Sequence, residues 1–220
     1  MTINNALIKH YLKNVMFING NSYAGKSTMT KMLADKYDLI FCGENYKCIP
    51  DGIVNPDEYP NICFTKPMKD WQKFLNRTPE QYDNWIRETS REKVEFEITY
   101  LMSISRSQKV IVDTNIPLDI LREVADYNQV AIMLMTPELS TEYFFDRNDD
   151  KPFIKEQIMK AENPESTMEN YLAGIELINR RQYYEDFANS GFFTLERKDV
   201  ATDTKLETLE ILAKHFGLEL

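Results

Sequence analysis

Five short apolar runs punctuate the chain, and helical spacing fills most of what lies between them. The runs are Val15-Met16-Phe17-Ile18, Leu39-Ile40-Phe41-Cys42-Gly43, Val110-Ile111-Val112, Val130-Ala131-Ile132-Met133-Leu134-Met135 and Phe192-Phe193-Thr194-Leu195. They are continuous rather than alternating, of strand length and bounded by glycine or polar residues, which predicts strands buried on both faces. Between them, helix-start signals recur. Thr78-Pro79-Glu80-Gln81 combines a cap, a first-position proline and a closing Gln, and the helix it starts is expected to run to about Arg106. Its first half is amphipathic through Tyr82, Trp85, Ile86 and Thr89; its second half, Phe96 to Ile104, is more broadly apolar. Thr136-Pro137 and Asn163-Pro164 start helices by the same logic, and Thr204-Lys205-Leu206-Glu207 reads as a capping box. Helices are also predicted before Asn14 (a turn or two), over Ser27–Ala34, Met68–Leu75 and Ile116–Tyr127. The final helix should end near Phe216-Gly217 and bury Leu206, Leu209, Leu212 and Phe216.

Strand and helix alternation of this kind predicts an α/β domain: a five-stranded parallel sheet with helices on both faces. The 220 residues suffice for a single domain, 1–220. The stretch from Pro50 to Pro67, proline-rich and irregular, is longer than a connector needs to be and is of the kind that shapes binding sites.

The first strand runs into Gly20-Asn21-Ser22-Tyr23-Ala24-Gly25-Lys26-Ser27-Thr28, which matches the phosphate-cradling pattern G-x-x-x-x-G-K-[ST] in its strand–loop–helix context. Gly20 and Gly25 let the backbone turn tightly with no side chain between it and a phosphate. Successive N–H groups and the positive end of the following helix favour an anion. Lys26 can reach β- and γ-phosphates, and the Ser27 hydroxyl is placed to ligate Mg²⁺. The alternative is a glycine turn without a ligand. Asp113 ends the third apolar run; it is either a Mg²⁺ organiser beside the loop, acting through water, or a cap for the following turn. Glu44, in Gly43-Glu44-Asn45-Tyr46-Lys47 after the second run, is either an acid/base group at a strand's carboxyl end or a solvated turn carboxylate. Arg147 precedes the charged break Asn148-Asp149-Asp150-Lys151-Pro152 and is either a lid arginine with a rigid fork for phosphate oxygens or a surface ion-pair residue. Arg180 and Arg181 read as a solvated pair of which one could face a nucleotide. Trp71 and Trp85 are either core or a stacking surface for an acceptor ring.

Composition narrows the partners. A formal net charge of −9 disfavours a general nucleic-acid binder, whose affinity comes from Lys/Arg fields. Cys42, Cys48 and Cys63 lack paired spacing and read as reduced thiols of a cytoplasmic protein rather than zinc ligands or disulfides. No signal-like or membrane-spanning run is expected, and His10 and His215 receive no role. A homodimer is left open.

Together these features resemble the P-loop kinases of the nucleoside-monophosphate-kinase-like superfamily. Val110-Ile111-Val112-Asp113-Thr114-Asn115 is similar to the "DTN" strand end of polynucleotide 5′-kinases and seryl-tRNA(Sec) kinases, and Gly43-Glu44-Asn45-Tyr46-Lys47 is similar to the segment that carries their acidic base, with Glu44 where they usually have Asp. Shikimate- and gluconate-type kinases and nucleoside kinases share the same fold logic. The resemblance implies an acceptor-binding insertion at about 44–107, a lid at about 144–163, ATP and Mg²⁺ as cofactors, and transfer of the γ-phosphoryl group to a hydroxyl or phosphate of a small molecule, a nucleoside or nucleotide first. It further implies Lys26, Glu44, Asp113 and Arg147 as catalytic, Gly20 to Thr28 as the nucleotide loop, and Ser27 and Asp113 at the metal. The alternative is a nucleotide-binding sensor or switch ATPase with no phosphoacceptor.

Overall fold

In the computed structural model, which describes residues 4–65, 68–146 and 151–218, three strands have no exposed residue at all. These are β1 (Val15–Gly20), β3 (Val110–Asp113) and β4 (Val130–Met135). With the edge strands β2 (Ile40–Cys42) and β5 (Phe193–Arg197) they form one sheet of order β2-β3-β1-β4-β5, parallel throughout. The continuous apolar runs thus belong to the sheet centre, where both faces are covered, while Phe41 on edge strand β2 is exposed.

Helices cover both faces. In chain order they are α1 (Asn5–Leu12), α2 (Lys26–Tyr37), α3 (Pro60–Cys63), α4 (Gln72–Leu75), α5 (Pro79–Ile104), α6 (Leu118–Val124), α7 (Pro137–Glu142), α8 (Lys151–Met159), α9 (Pro164–Ile178), α10 (Arg181–Ala188) and α11 (Lys205–His215). Because side chains alternate along a strand, Val15, Phe17, Val110, Val112, Ile132 and Leu134 share one core with Leu12, Val94, Leu101 and Leu121 of α1, α5 and α6. Met16, Ile18, Ile111, Ala131, Met133 and Met135 face the other way, onto Met29 and Leu33 of α2 and Leu209 and Leu212 of α11. A third cluster lies away from the sheet and joins Phe74, Leu75 and Tyr82 to Phe144, Ile154, Ile158, Tyr171 and Ile175.

Several expected elements form as read. Asn4 caps α1 by accepting from the Ala6 N–H at 2.8 Å, Thr78 and Gln81 complete the capping box of α5, and Asn163 accepts from the Ser166 N–H at 3.2 Å. Others are corrected. Helix α4 starts only at Gln72, because the Asp70 carboxylate takes the Gln72 N–H in a local turn at 3.0 Å. The helix expected over Ile116–Tyr127 is α6 plus a separate 3₁₀ turn, Tyr127–Gln129. The helix started by Thr136-Pro137 is short, ending at Glu142, and a separate 3₁₀ turn follows at Phe144–Asp146. Helix α9 ends at Ile178 with Asn179 in the cap position, and Arg180 and Arg181 open a separate helix, α10. Thr204 makes no side-chain cap to α11; the Asp203 carboxylate accepts from the Lys205 N–H instead, at 3.1 Å. The buried face of α11 is Leu209, Leu212, Ala213 and Phe216, whereas Leu206 is 71% exposed. His215 is half-buried: its Nε2 lies 2.9 Å from the Val130 carbonyl oxygen and its ring stacks on Phe193 at 4.2 Å between centroids.

The segment expected to be a charged, mobile lid carries a docked helix. Ile154 and Ile158 of α8 are buried, the Phe153 ring meets Trp71 edge-on at 5.1 Å, and the Gln72 side-chain amide donates to the Gln157 carbonyl at 3.0 Å. Trp71 and Trp85 therefore belong to the aromatic packing of this helical layer; the Trp85 indole N–H donates to the Asn61 carbonyl at 3.0 Å.

The corrected face of α11 is testable. Leu212→Ala should cost about 2–5 kcal/mol by chemical denaturation, as a fully buried leucine does. Leu206→Ala should change stability by less than about 0.5 kcal/mol.

Candidate functional site

In this strand order the connection leaving β1 crosses to one side of the sheet and the chain later continues to the other, so the carboxyl end of β1 lies at a topological switch point. The glycine loop occupies that place. Gly20, the last residue of β1, has φ +130°, and a Cβ there would lie 1.9 Å from the Met133 carbonyl oxygen. Only glycine lets β1 pair with β4 as far as Gly20↔Met133 and turn at once. Tyr23 (φ 61°) and Gly25 (φ 91°) complete the left-handed corners of the loop.

Side chains of the loop itself hold it in place. Asn21, buried, donates to the Met135 carbonyl at 2.6 Å and accepts from the Met135 N–H at 2.8 Å, a two-way clamp onto the end of β4. Ser140 of α7 donates to the Ser22 carbonyl at 2.9 Å. At the loop's far end α2 begins at Lys26 with Gly25 in the cap position and no side-chain cap, leaving its first N–H groups directed at the mouth of the loop. The Lys26 ammonium curls back across the loop and donates to the Asn21 carbonyl at 2.9 Å.

Strand alternation decides what β3 contributes. Asp113 shares the face of Ile111 and meets α2, where the Ser27 hydroxyl donates to its Oδ2 at 2.6 Å. A hydroxyl and a carboxylate, both hard oxygen donors, therefore meet at the start of α2 beside the loop. That pair suits Mg²⁺, which binds through one or two protein oxygens and keeps water and phosphate oxygens as its other ligands. Among the described residues no group of three or more His, Cys, Asp or Glu side chains is arranged to cage a metal on its own.

Thr114 points to the opposite face, toward α5, and donates to the Glu97 carboxylate at 2.6 Å. Glu97 is 3% exposed, and burial holds its carboxyl above the usual range despite the opposing pull of Lys93. Sequence spacing had not singled it out; the usable signal was an acidic residue within the apolar second half of a helix. Cys42, at the end of β2, is pushed up to about 12 by burial, with the Glu97 charge adding to the effect. All three cysteines are free and buried.

The remaining candidates are placed as follows. Glu44 lies half-buried in the turn after β2, and β3 separates that strand from β1. Arg147 lies outside the described residues. Arg181 pairs with Glu138 at 3.3 Å, and Arg180 donates to the Tyr183 hydroxyl at 2.9 Å, which in turn donates to the buried Asp83 at 3.1 Å. A cleft of ≈ 430 Å³ opens beside the loop, between Ala24, Gly25 and Thr28 on one side and the end of β5 with the segment after it, including Arg197 and Val200, on the other. Tyr23 stacks on Tyr143 at 5.6 Å, with the Arg197 guanidinium 5.6 Å from the Tyr23 ring.

No protein-family model matches the chain, and no curated protein matches it. No helix among the described residues is long and apolar enough to cross a membrane.

Two consequences of this packing can be measured. Asn21→Ala leaves both the N–H and the carbonyl of Met135 without the clamp and should destabilise the fold by roughly 2–4 kcal/mol in denaturant melts. A thiol reagent at pH 8 should leave Cys42 unmodified in the native protein and modify all three cysteines in guanidinium, because a buried thiol held near 12 offers almost no thiolate.

Proposed function

We propose that this protein is an ATP-dependent phosphotransferase of the P-loop type, moving the γ-phosphoryl group to a hydroxyl or phosphate of a small molecule, with a nucleoside or nucleotide the leading acceptor class. The observation that carries this reading is the Ser27–Asp113 contact at the mouth of a glycine loop that opens a helix. A loop that only turned the chain would have no use for a carboxylate from a neighbouring strand held at its rim.

On this reading the loop amides and the N-terminus of α2 hold the β- and γ-phosphates. Lys26 exchanges the Asn21 carbonyl for phosphate oxygens. Ser27, and Asp113 through water, would hold Mg²⁺, which supplies neutralisation of phosphate charge when bound. The cleft beside Ala24 and Thr28 gives the nucleoside of the donor a place within reach of the loop. In the transfer, an acceptor oxygen forms its bond to the γ-phosphorus as the bond to the β,γ-bridging oxygen breaks, ADP leaves with that electron pair, and the acceptor's proton passes to Glu44. The protein's contribution is positioning and charge stabilisation at preorganised groups. Arg147, on the resemblance alone, would add charge from the lid side and help exclude water, the competing acceptor.

The test is ADP release across a panel of acceptors. Lys26→Ala and Asp113→Asn should each lower acceptor-dependent turnover roughly 100-fold or more, and Glu44→Gln should lower kcat with little change in ATP affinity. Wild-type turnover in Lys26→Ala and Asp113→Asn would refute the proposal. Slow ADP release indifferent to every acceptor would instead favour a nucleotide switch.

A further inference from the structure

We propose that Glu97 is a positioning residue for the nucleotide site, tying the long helix α5 to the strand end that bears Asp113 and to the first turn of the glycine loop. This rests on the phosphotransferase reading and assigns a residue that the loop motif does not contain.

The argument starts from a continuous set of buried hydrogen bonds. The Thr114 hydroxyl donates to Glu97 at 2.6 Å and accepts from the Ile116 N–H at 3.1 Å. The Ile116 carbonyl accepts from the Asn19 side-chain Nδ2 at 2.8 Å, and the Oδ1 of the same Asn19 side chain accepts from the Gly20 N–H at 2.7 Å. The Thr114 N–H, for its part, donates to the Ile18 carbonyl at 2.9 Å. The route runs from α5, through the turn after β3, to the residue where the loop begins. Asp113 and Thr114 are neighbours on opposite faces, so fixing the Thr114 hydroxyl fixes the peptide from which Asp113 reaches Ser27.

A carboxylate is an expensive choice here. Burying it near Cys42, Cys48 and Tyr46, with Lys93 one turn back along α5, costs more than an apolar side chain of the same size would. What the carboxylate provides is a strong, directional acceptor that sets the Thr114 hydroxyl as donor to α5 and leaves its lone pair for Ile116. Groups that orient a metal-facing ligand from behind are worth as much as the ligand's own alignment requires.

The experiment measures equilibrium binding of ATP as a function of Mg²⁺ concentration, alongside thermal melts, for wild type, Glu97→Gln, Thr114→Val, Thr114→Ser and the Glu97→Gln/Thr114→Val double variant. Expected are a loss of roughly 10–100-fold in Mg²⁺-dependent ATP affinity for each of Glu97→Gln and Thr114→Val, near-wild-type behaviour for Thr114→Ser, and a double variant no weaker than the worse single one, as members of one network should behave. Variants that melt earlier but bind Mg²⁺ and ATP as wild type does would overturn the proposal and leave Glu97 a core residue. If Glu97→Gln does not fold, Thr114→Val decides by the same readout. Failure of the wild-type protein to bind ATP at any Mg²⁺ concentration would overturn the phosphotransferase reading, and this proposal with it.

Discussion

The close approach of Gly20 to the Met133 carbonyl is the constraint on which the rest of the site depends. No side chain fits between these backbones, so β1 pairs with β4 up to its final residue and the chain turns with nothing projecting into the space above. The Asn21 clamp on Met135 then fixes the turn from the other side. With its first two residues tied to β4, the loop leads into α2, and Ser27 arrives beside Asp113 on β3. The loop is thus shaped by its own Gly20 and Asn21 acting against β4, and the preorganisation that charge stabilisation requires comes from that anchorage to the sheet.

The helical layer has a different logic. Residues from the long excursion between β2 and β3 and from the segment between β4 and β5 share one aromatic cluster, with Phe74 and Tyr82 on one side and Phe144, Ile158 and Tyr171 on the other. Arg77 sits among Phe74, Trp85 and Phe64, its guanidinium 4.2 to 4.8 Å from their ring centroids, and burial lowers its pKa. Any closure over the site would have to carry α8 together with its partners on α4 and α9, because its isoleucines are buried against them. Helix α5 belongs to both regions. Tyr82 near its start packs in the aromatic cluster, and Glu97 near its end reaches the strand that bears Asp113.

Much of the fold was legible because its signals are local. The central strands announce themselves as uninterrupted apolar runs since both of their faces are covered, and the capping box at Thr78 needs only four consecutive residues. The readings that failed depended on competition between neighbours. Asp203 rather than Thr204 takes the first free N–H of α11, and Asp70 holds Gln72 in a turn that delays α4. Leu206 has the right spacing for a buried face, but only the later turns of α11, at Leu209 and Leu212, are covered, and Leu206 stays exposed.

By itself the sequence determined the α/β architecture, the place of the glycine loop between strand and helix, and the candidacy of Lys26, Ser27 and Asp113, because each follows from residue type at a fixed spacing along one stretch of chain. Only the tertiary structure decided that Asp113 reaches Ser27, that the Asn21 side chain clamps the loop onto β4, and that Glu97 stands behind Thr114. Those contacts join residues far apart in the chain, and they are set by strand order and by which face of β3 each side chain takes. Neither quantity is written in a local pattern.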